Sequence, residues 1–331
     1  MLCDPCKDFK AAKMAAMAAA AAPSIKVGGV PEHFNIPWYM ATEQGLWAKH
    51  GAPTVEFCVC KGGTGAMLAG LRDKSYDVII ALTECLITEI EKADGVRLVS
   101  NYVDSPLVWG VSVGHASAIS SLDELDGANF AVSRKGSGSH VMAYVMAQQR
   151  GWTKPLDFTV CGDFETMRAK VNSGECQALM WERFTTKPFV DNGELKAIDG
   201  VPTPWPCFTA AVLTETVTGE GDRTAEITPM LAALGEATAA FKANEGGASL
   251  ARVMKDHTLS EVDATTWFCG DDAVGQPEVM WTDNNSGKPA LSKKMMEDCR
   301  ALLIASGVLP PTVGEARDVA TYLAPLTTLV D

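Results

Sequence analysis

The chain has 331 residues, 47% of them hydrophobic and 21% charged, and a formal net charge of −13. A chain of this length suggests about two domains, with enough apolar residues for a core and enough polar ones to wet its surface. The acidic balance disfavours nucleic-acid binding, which requires a basic face, and no stretch of about 18 or more strongly apolar residues offers a membrane span.

Residues 1–23 stand apart from the rest of the chain. Lys7, Lys10 and Lys13 precede an alanine-rich run that ends at Pro23. Basic residues before a small apolar run occur in targeting segments, but alanine makes a weak apolar stretch, and Asp4 and Asp8 spoil a transit peptide. The segment reads as an extension outside the fold. A cytoplasmic location is expected, with an organelle or export as the alternative if residues 1–23 act as a targeting segment. Cys3-x-x-Cys6 has metal or redox spacing without a second pair. Most of the ten cysteines, such as Cys58 and Cys60, sit inside apolar runs, where thiols behave as small hydrophobes. That usage fits a reducing compartment.

From Ser24 a regular alternation begins. Residues 25–30 read as a strand and 37–50 as a helix, with Pro37 suited to a first turn. Residues 55–60 form a strand, 64–72 a helix, 77–82 an unbroken apolar strand typical of a buried parallel sheet, 84–92 a helix and 96–103 a strand. Beyond, 106–113 is extended, 121–127 a helical turn, 129–132 a strand, 138–150 a helix, 158–160 a strand, 163–172 a helix and 177–181 a strand. Prolines 202, 204 and 206 break the pattern, 207–213 is extended again, and helices occupy 224–244, 248–257, 260–268 and 289–306. Strands alternating with helices imply βαβ units and a covered parallel sheet. The expected organisation is a first lobe at 24–105, a second lobe inserted at 106–205, and a return to the first lobe with C-terminal helices at 206–331. Two independent α/β domains in series are the alternative.

In open α/β sheets ligands bind beyond the carboxyl ends of the strands, so the residues just after each strand are the candidates. The first strand leads into Glu32-His33-Phe34-Asn35 and Trp38, dense in aromatic and hydrogen-bonding groups. Trp and Phe supply flat stacking faces, and Glu, His and Asn can read polar edges. Later strands lead into Gly63 and Thr64, into Thr83 and Glu84, and into Ser105. In the second lobe they lead into Arg134, Ser137, Ser139 and His140, and into Trp181. The two loops rich in glycine, serine and threonine each open a helix, whose N–H groups can hold an anion or a polar head group; a tight strand–helix turn is the plainer reading of the first. For catalysis, His33 with Glu32, or Glu84 with Cys85, offers an acid–base or nucleophile pair, but no motif of metal spacing and no nucleophile elbow accompanies them. No cofactor and no metal are expected.

These residues bring a resemblance into view. The layout resembles type II periplasmic-binding-protein folds, in the branch of sulfonate- and thiamine-pyrimidine-type binding proteins. Gly28-Gly29-Val30-Pro31-Glu32-His33-Phe34-Asn35-Ile36-Pro37-Trp38 resembles the signature of an intracellular group in that branch, as do the segments at 62–65, 82–84, 105–109 and 133–140. The resemblance implies a two-lobed α/β fold that closes on a small ligand. A cousin in the branch is the pyrimidine synthase that consumes its own histidine, and it needs a lysine and, four residues later, that histidine. Ala81 and Cys85 stand at the corresponding positions here, and of its cysteine cluster only Cys207 remains, so the resemblance implies binding without that reaction. The expected function is to bind a polar, flat small molecule of the thiamine-pyrimidine-precursor class. The alternatives are an enzyme acting on a small heterocycle, or the solute-binding subunit of a transporter for sulfonate-like anions.

Overall fold

The computed structural model describes residues 24–284, 288–312 and 317–331. The expected extension at 1–23, with Cys3 and Cys6, lies outside the described residues. In chain order the first strands are β1 (Ser24–Gly29), β2 (Thr54–Val59), β3 (Val78–Leu82) and β4 (Val96–Val103), followed by β5 (Val108–Gly114), β6 (Asn129–Val132), β7 (Asp157–Val160), β8 (Ala178–Glu182), β9 (Leu195–Pro202) and β10 (Phe208–Leu213). They build two five-stranded sheets, ordered β2-β1-β3-β10-β4 and β7-β6-β8-β5-β9. Each sheet has a parallel core and takes in a strand that runs against it: β10 is antiparallel to β3 and β4, and β5 is antiparallel to β8 and β9. The chain thus leaves the first sheet after β4 and returns to it only at β10. Val78 to Ala81 are buried, as expected of a strand covered on both faces.

The helices that cover the sheets are α1 (Ile36–Glu43), α2 (Leu46–Lys49), α3 (Gly63–Arg72), α4 (Thr83–Lys92), α5 (Gly138–Gln149), α6 (Phe164–Asn172), α7 (Arg183–Asp191), α8 (Thr224–Ala243), α9 (Ala248–His257), α10 (Glu261–Cys269) and α11 (Lys293–Ala305). The single helix expected over 37–50 is two helices, because Gly45 adopts φ 67° between them, a conformation that glycine takes without strain. Helix α7 and strand β9 are absent from the sequence reading. Pro188 interrupts the helical pattern of α7, and the edge strand β9 alternates half-buried and exposed residues around Asp199 and Gly200. The helix expected from 289 starts only at Lys293, after a short strand β11 (Ala290–Ser292) that pairs in parallel with β12 (Thr328–Val330). No helix among the described residues is long and apolar enough to cross a membrane.

Two short crossings, 104–107 and 203–207, join the sheets and bond to each other. The Thr203 N–H donates to the Leu107 carbonyl at 2.9 Å, the Leu107 N–H donates to Thr203 Oγ1 at 3.0 Å, and the Cys207 N–H donates to the Ser105 carbonyl at 3.2 Å. Two side-by-side connections of this kind form a hinge that permits closure about the space between the sheets.

Trp38 sits on the inner face of α1, fully buried, with Trp47, Phe57 and Tyr102 at ring-centroid distances of 5.9, 5.7 and 5.9 Å. Trp38→Ala should cost about 3–5 kcal/mol of stability, the usual range for emptying a large aromatic site. Denaturant unfolding of the wild type and the variant measures it; a loss below about 1 kcal/mol would contradict this placement.

Candidate functional site

A cavity of about 60 Å³ lies between the two sheets at the ends of β1, β3, β6 and β8. Its walls mix aromatic and aliphatic faces, among them Trp109, Trp181 and Phe208, with polar groups from both lobes. The first lobe supplies Val30, Glu32, Gly63 and Thr64; the second supplies Ser133, Arg134, Ser137, Ser139 and Glu182. Trp181 is held flat by stacking on Phe164, centroid to centroid 4.9 Å. Helices α3 and α5 both begin at this cavity, so their first N–H groups and dipoles favour negative or polar ligand atoms there.

The lobes touch across the cavity. Arg134 donates from its guanidinium to the Gly62 carbonyl at the start of α3. The Thr185 hydroxyl at the start of α7 donates to Glu32 Oε2 at 2.5 Å. The Cys85 thiol lies 3.5 Å from the Gly136 carbonyl. Close approach is written into two glycines. A Cβ on Gly65 would stand 2.7 Å from Arg134 Nε, and one on Gly138 would stand 2.5 Å from both Leu82 Cδ1 and a Trp109 ring carbon.

Of the fifteen residues expected at the site, Glu32, Gly63, Thr64, Arg134, Ser137, Ser139 and Trp181 line this cavity. Val30 and Glu32 are the residues of the 29–38 segment that line it; His33, Phe34, Asn35 and Trp38, expected to face a ligand, do not. Asn35 folds back, its side-chain amide donating to the Val30 carbonyl at 2.8 Å. Phe34 packs on Phe208 and Trp267, and its carbonyl accepts from Tyr102 and Trp281 at 2.6 and 3.2 Å. These bonds fix the turn so that Glu32 faces the cleft while Phe34 and Trp38 enter the core. Thr83 pairs with Thr209 at 2.8 Å, and Ser105 Oγ accepts from the Met280 N–H at 3.1 Å beside the hinge. Glu84 accepts from Trp205 Nε1 at 2.8 Å, and His140 Nδ1 accepts from the Gly136 N–H at 3.1 Å, shaping the loop before α5. His33 and Glu84, the residues named for catalysis, are therefore set back from the cavity. Sequence reasoning placed Ser133 and Glu182 at strand ends on the cleft side without assigning them, left Trp109 open between wall and core, and missed Phe208 as a lining residue. Glu182 carried the same strand-end signal as Trp181.

Burial dominates the electrostatics. Glu32 and Glu182 are 9% and 5% exposed. Loss of water raises both carboxyls well above the carboxylate range. The Glu182 charge adds to the rise at Glu32, and hydrogen bonds from Thr185 partly offset it at both. Burial holds His33 below the ordinary histidine range, with His257 acting in the same direction. His33 is therefore neutral, and its 3.9 Å approaches to Glu32 and Glu182 are contacts rather than ion pairs. Burial lowers His140 to about 4, helped by Lys135 and Lys92. Glu84 is raised to about 7 by burial, with the Trp205 hydrogen bond opposing.

Residues 109–201 match the family model described as Ca3427-like PBP. That stretch lies in the second lobe and does not include the 28–38 segment. Over the whole fold the chain is similar to the Candida albicans CA3427 gene product, which exhibits the generic periplasmic binding protein structural fold. Identity is 27%, over 93% of this chain and 98% of that one, with a TM-score of 0.80. It is also similar in fold to the alkanesulfonate-binding protein SsuA of Xanthomonas axonopodis pv. citri bound to MOPS (14% identity, 93% and 98% covered, TM-score 0.67). The periplasmic aliphatic sulphonate binding protein SsuA of Escherichia coli is similar too (16% identity, 91% and 97% covered, TM-score 0.62). Among curated proteins none matches the sequence. The architecture is thus the two-lobed α/β fold of periplasmic binding proteins, as the resemblance implied.

The buried Glu84 gives stability a pH dependence. Its folded value, about 7, lies above its ordinary 4.5, so the folded state holds the proton more tightly. Stability from this group is complete below about pH 4.5 and is lost as pH rises towards 7. The thiols of Cys85, Cys207 and Cys299 share its surroundings and, being raised themselves, stay protonated across that window. Glu84→Gln keeps an acceptor for Trp205 and has no proton to lose. Its melting temperature should fall less between pH 5 and 8 than that of the wild type; equal slopes would remove Glu84 as a source of the effect.

Proposed function

We propose that this protein binds a small, polar, flat molecule in the cleft between its lobes and closes on it. The observation that carries the reading is one cavity walled by Trp109, Trp181 and Phe208, with carboxyls at Glu32 and Glu182 and hydroxyls at Thr64, Ser133, Ser137 and Ser139. Flat aromatic walls select a planar ring. Buried carboxyls call for donors or positive charge on the ligand, and serine hydroxyls with helix N–H groups call for acceptors. A substituted aminopyrimidine offers both, which supports the thiamine-pyrimidine-precursor class.

The cavity of about 60 Å³ is smaller than the roughly 300–1,000 Å³ of pockets for larger ligands. The ligand enters by separation of the lobes, and the lobes close around it less fully than they close without it. The second reading is a sulfonate-like anion. Arg134 and the N-termini of α3 and α5 favour it, as does the likeness in fold to the sulfonate-binding proteins. Two buried carboxyls on the same cavity weigh against it, because an anion beside them adds like charge in a poorly screened space.

Thermal unfolding against a panel of thiamine-pyrimidine precursors and alkanesulfonates separates the two. A ligand at a hundred times its dissociation constant adds about 2.7 kcal/mol and should raise the melting temperature by about 2–4 °C. Gly138→Ala, whose methyl meets Leu82 and Trp109, should hold the lobes apart and reduce the shift. A rise with sulfonates alone supports the second reading, and no rise with any pyrimidine removes the first.

A further inference from the structure

We propose that Glu32, His33 and Glu182 form a divalent-cation site that spans the two lobes. Each offers a ligand atom, and the three atoms lie within 4.8 Å of one another. All three residues are buried, His33 to 1% exposure. His33 Nε2 is 3.9 Å from Glu182 Oε1, and His33 Nδ1 is 3.9 Å from Glu32 Oε2. Two atoms bound to one ion at about 2.1 Å each can stand no more than about 4.2 Å apart. One ion takes one ring nitrogen; Nε2, 3.9 Å from Glu182 Oε1, already satisfies that limit, and any wider pair within the 4.8 Å set needs to close by no more than about 0.6 Å.

A cluster of carboxylates alone would not argue for an ion; the histidine supplies independent evidence. Its Nε2 is buried with no hydrogen-bond partner and faces Glu182. Buried polar atoms are nearly always paired, and a neutral imidazole has one nitrogen lone pair to give. The ring is fixed by Trp267 edge-on at 4.2 Å and by Phe34 stacked at 4.9 Å.

The surrounding groups are arranged as outer-shell partners of a metal usually are. Thr185 holds both carboxylates, its hydroxyl donating to Glu32 Oε2 at 2.5 Å and its N–H donating to Glu182 Oε2 at 2.6 Å. Glu182 Oε1 is left pointing at the imidazole. The guanidinium of the adjacent Arg183, which would be the obvious counter-charge, instead donates to the Val274 carbonyl at 2.7 Å.

One imidazole and two carboxylates suit Zn²⁺ or Mn²⁺. Three protein ligands leave a coordination position open. Glu32 and Glu182 line the cavity, so that position faces the space where a ring nitrogen or hydroxyl of a ligand would enter. Glu32 and His33 come from the first lobe and Glu182 from the second, so the complete set exists only when the lobes are closed. The ion binds that state alone and favours it. The site does not rest on the identity of the organic ligand.

The test uses the full chain freed of metal and Mn²⁺ alone, because thiolates favour softer ions than Mn²⁺ and the chain has ten cysteines. Calorimetry with Mn²⁺ electron paramagnetic resonance should find one ion per chain. His33→Ala and Glu182→Gln should each weaken binding at least tenfold, and solution scattering should report a more compact chain with the ion. If His33→Ala does not fold, Glu182→Gln, which keeps the side-chain shape, decides by itself. No Mn²⁺ binding by the wild type overturns the proposal, since the pair then holds a proton or an organic cation. Binding that a folded variant leaves unchanged also overturns it, since the ion then sits on surface carboxylates. Neither result depends on whether a pyrimidine binds.

Discussion

The cleft depends on the hydrogen bonding between the two crossings. Residues 104–107 and 203–207 are the only two passages of the described chain between the sheets, and they are tied through Leu107, Thr203, Ser105 and Cys207. Paired crossings restrict the second lobe to rotation about one short axis. That restriction brings Glu182 back to Glu32, and Arg134 back to the mouth of α3, each time the lobes meet. Without it the carboxyl ends of the two sheets would have no fixed relation, and residues from the two lobes could not share one site. Met280 strengthens the tie from the C-terminal region: its N–H donates to Ser105 Oγ, and its carbonyl accepts from the Asp104 N–H at 2.8 Å.

Closure has an electrostatic cost that the hinge alone does not remove. Glu32 and Glu182 lose water together when the lobes meet, and each raises the cost of ionising the other. Thr185 offsets part of this by donating twice. The same geometry makes the closed cleft responsive to whatever positive charge or proton it encloses, because a group that neutralises the pair binds the closed state and not the open one. Outside the cleft, Lys187 approaches Asp263 at 3.5 Å and Arg183 reaches Val274, so the second lobe is also held by the C-terminal helical region. These contacts are partly exposed and each contributes little; they bias closure without locking it.

Much of the fold was legible because its determinants are local. Valine- and isoleucine-rich strands such as β3 announce themselves within a few residues, whereas the break at Gly45 inside the helix expected over 37–50 did not. The ends of strands announced themselves too, which is why Glu32, Thr64, Ser137 and Trp181 were found. What stayed hidden depends on packing between distant segments. Trp38 reads as a stacking surface in a polar, aromatic stretch; only the arrangement of Trp47, Phe57 and Tyr102 around it places it in the core. Asn35 reads as a polar-edge reader, yet its amide serves the turn that aims Glu32. The triad of Glu32, His33 and Glu182 has no sequence spacing to recognise, because Glu182 lies in the other lobe, far along the chain from the adjacent Glu32 and His33. Helix α7, which places Thr185 beside both carboxylates, was masked by its own proline.

The glycines at the cleft tie the sequence to closure. Gly28 and Gly29 lie against Tyr76 and Phe57 of their own lobe, where a Cβ would stand 2.8 and 2.4 Å from ring carbons. They serve packing within the first lobe. Gly65 and Gly138 are different, because the atoms that forbid a side chain come in part from the opposite lobe: Arg134 against Gly65, and Leu82 against Gly138. Neither position has left-handed backbone, so conformation alone does not require glycine there. At Gly65 the requirement exists only when the lobes are together, because every close atom belongs to Arg134; at Gly138 the Trp109 ring of its own lobe, 2.5 Å from a Cβ, adds a requirement that is present in either state. An open protein would accept alanine at Gly65, and alanine would stabilise the start of α3 through its higher helix propensity. That glycine stands at position 65 is a sequence-level record of the closed state, in which the lip of the cleft is left bare so that Arg134 can approach it.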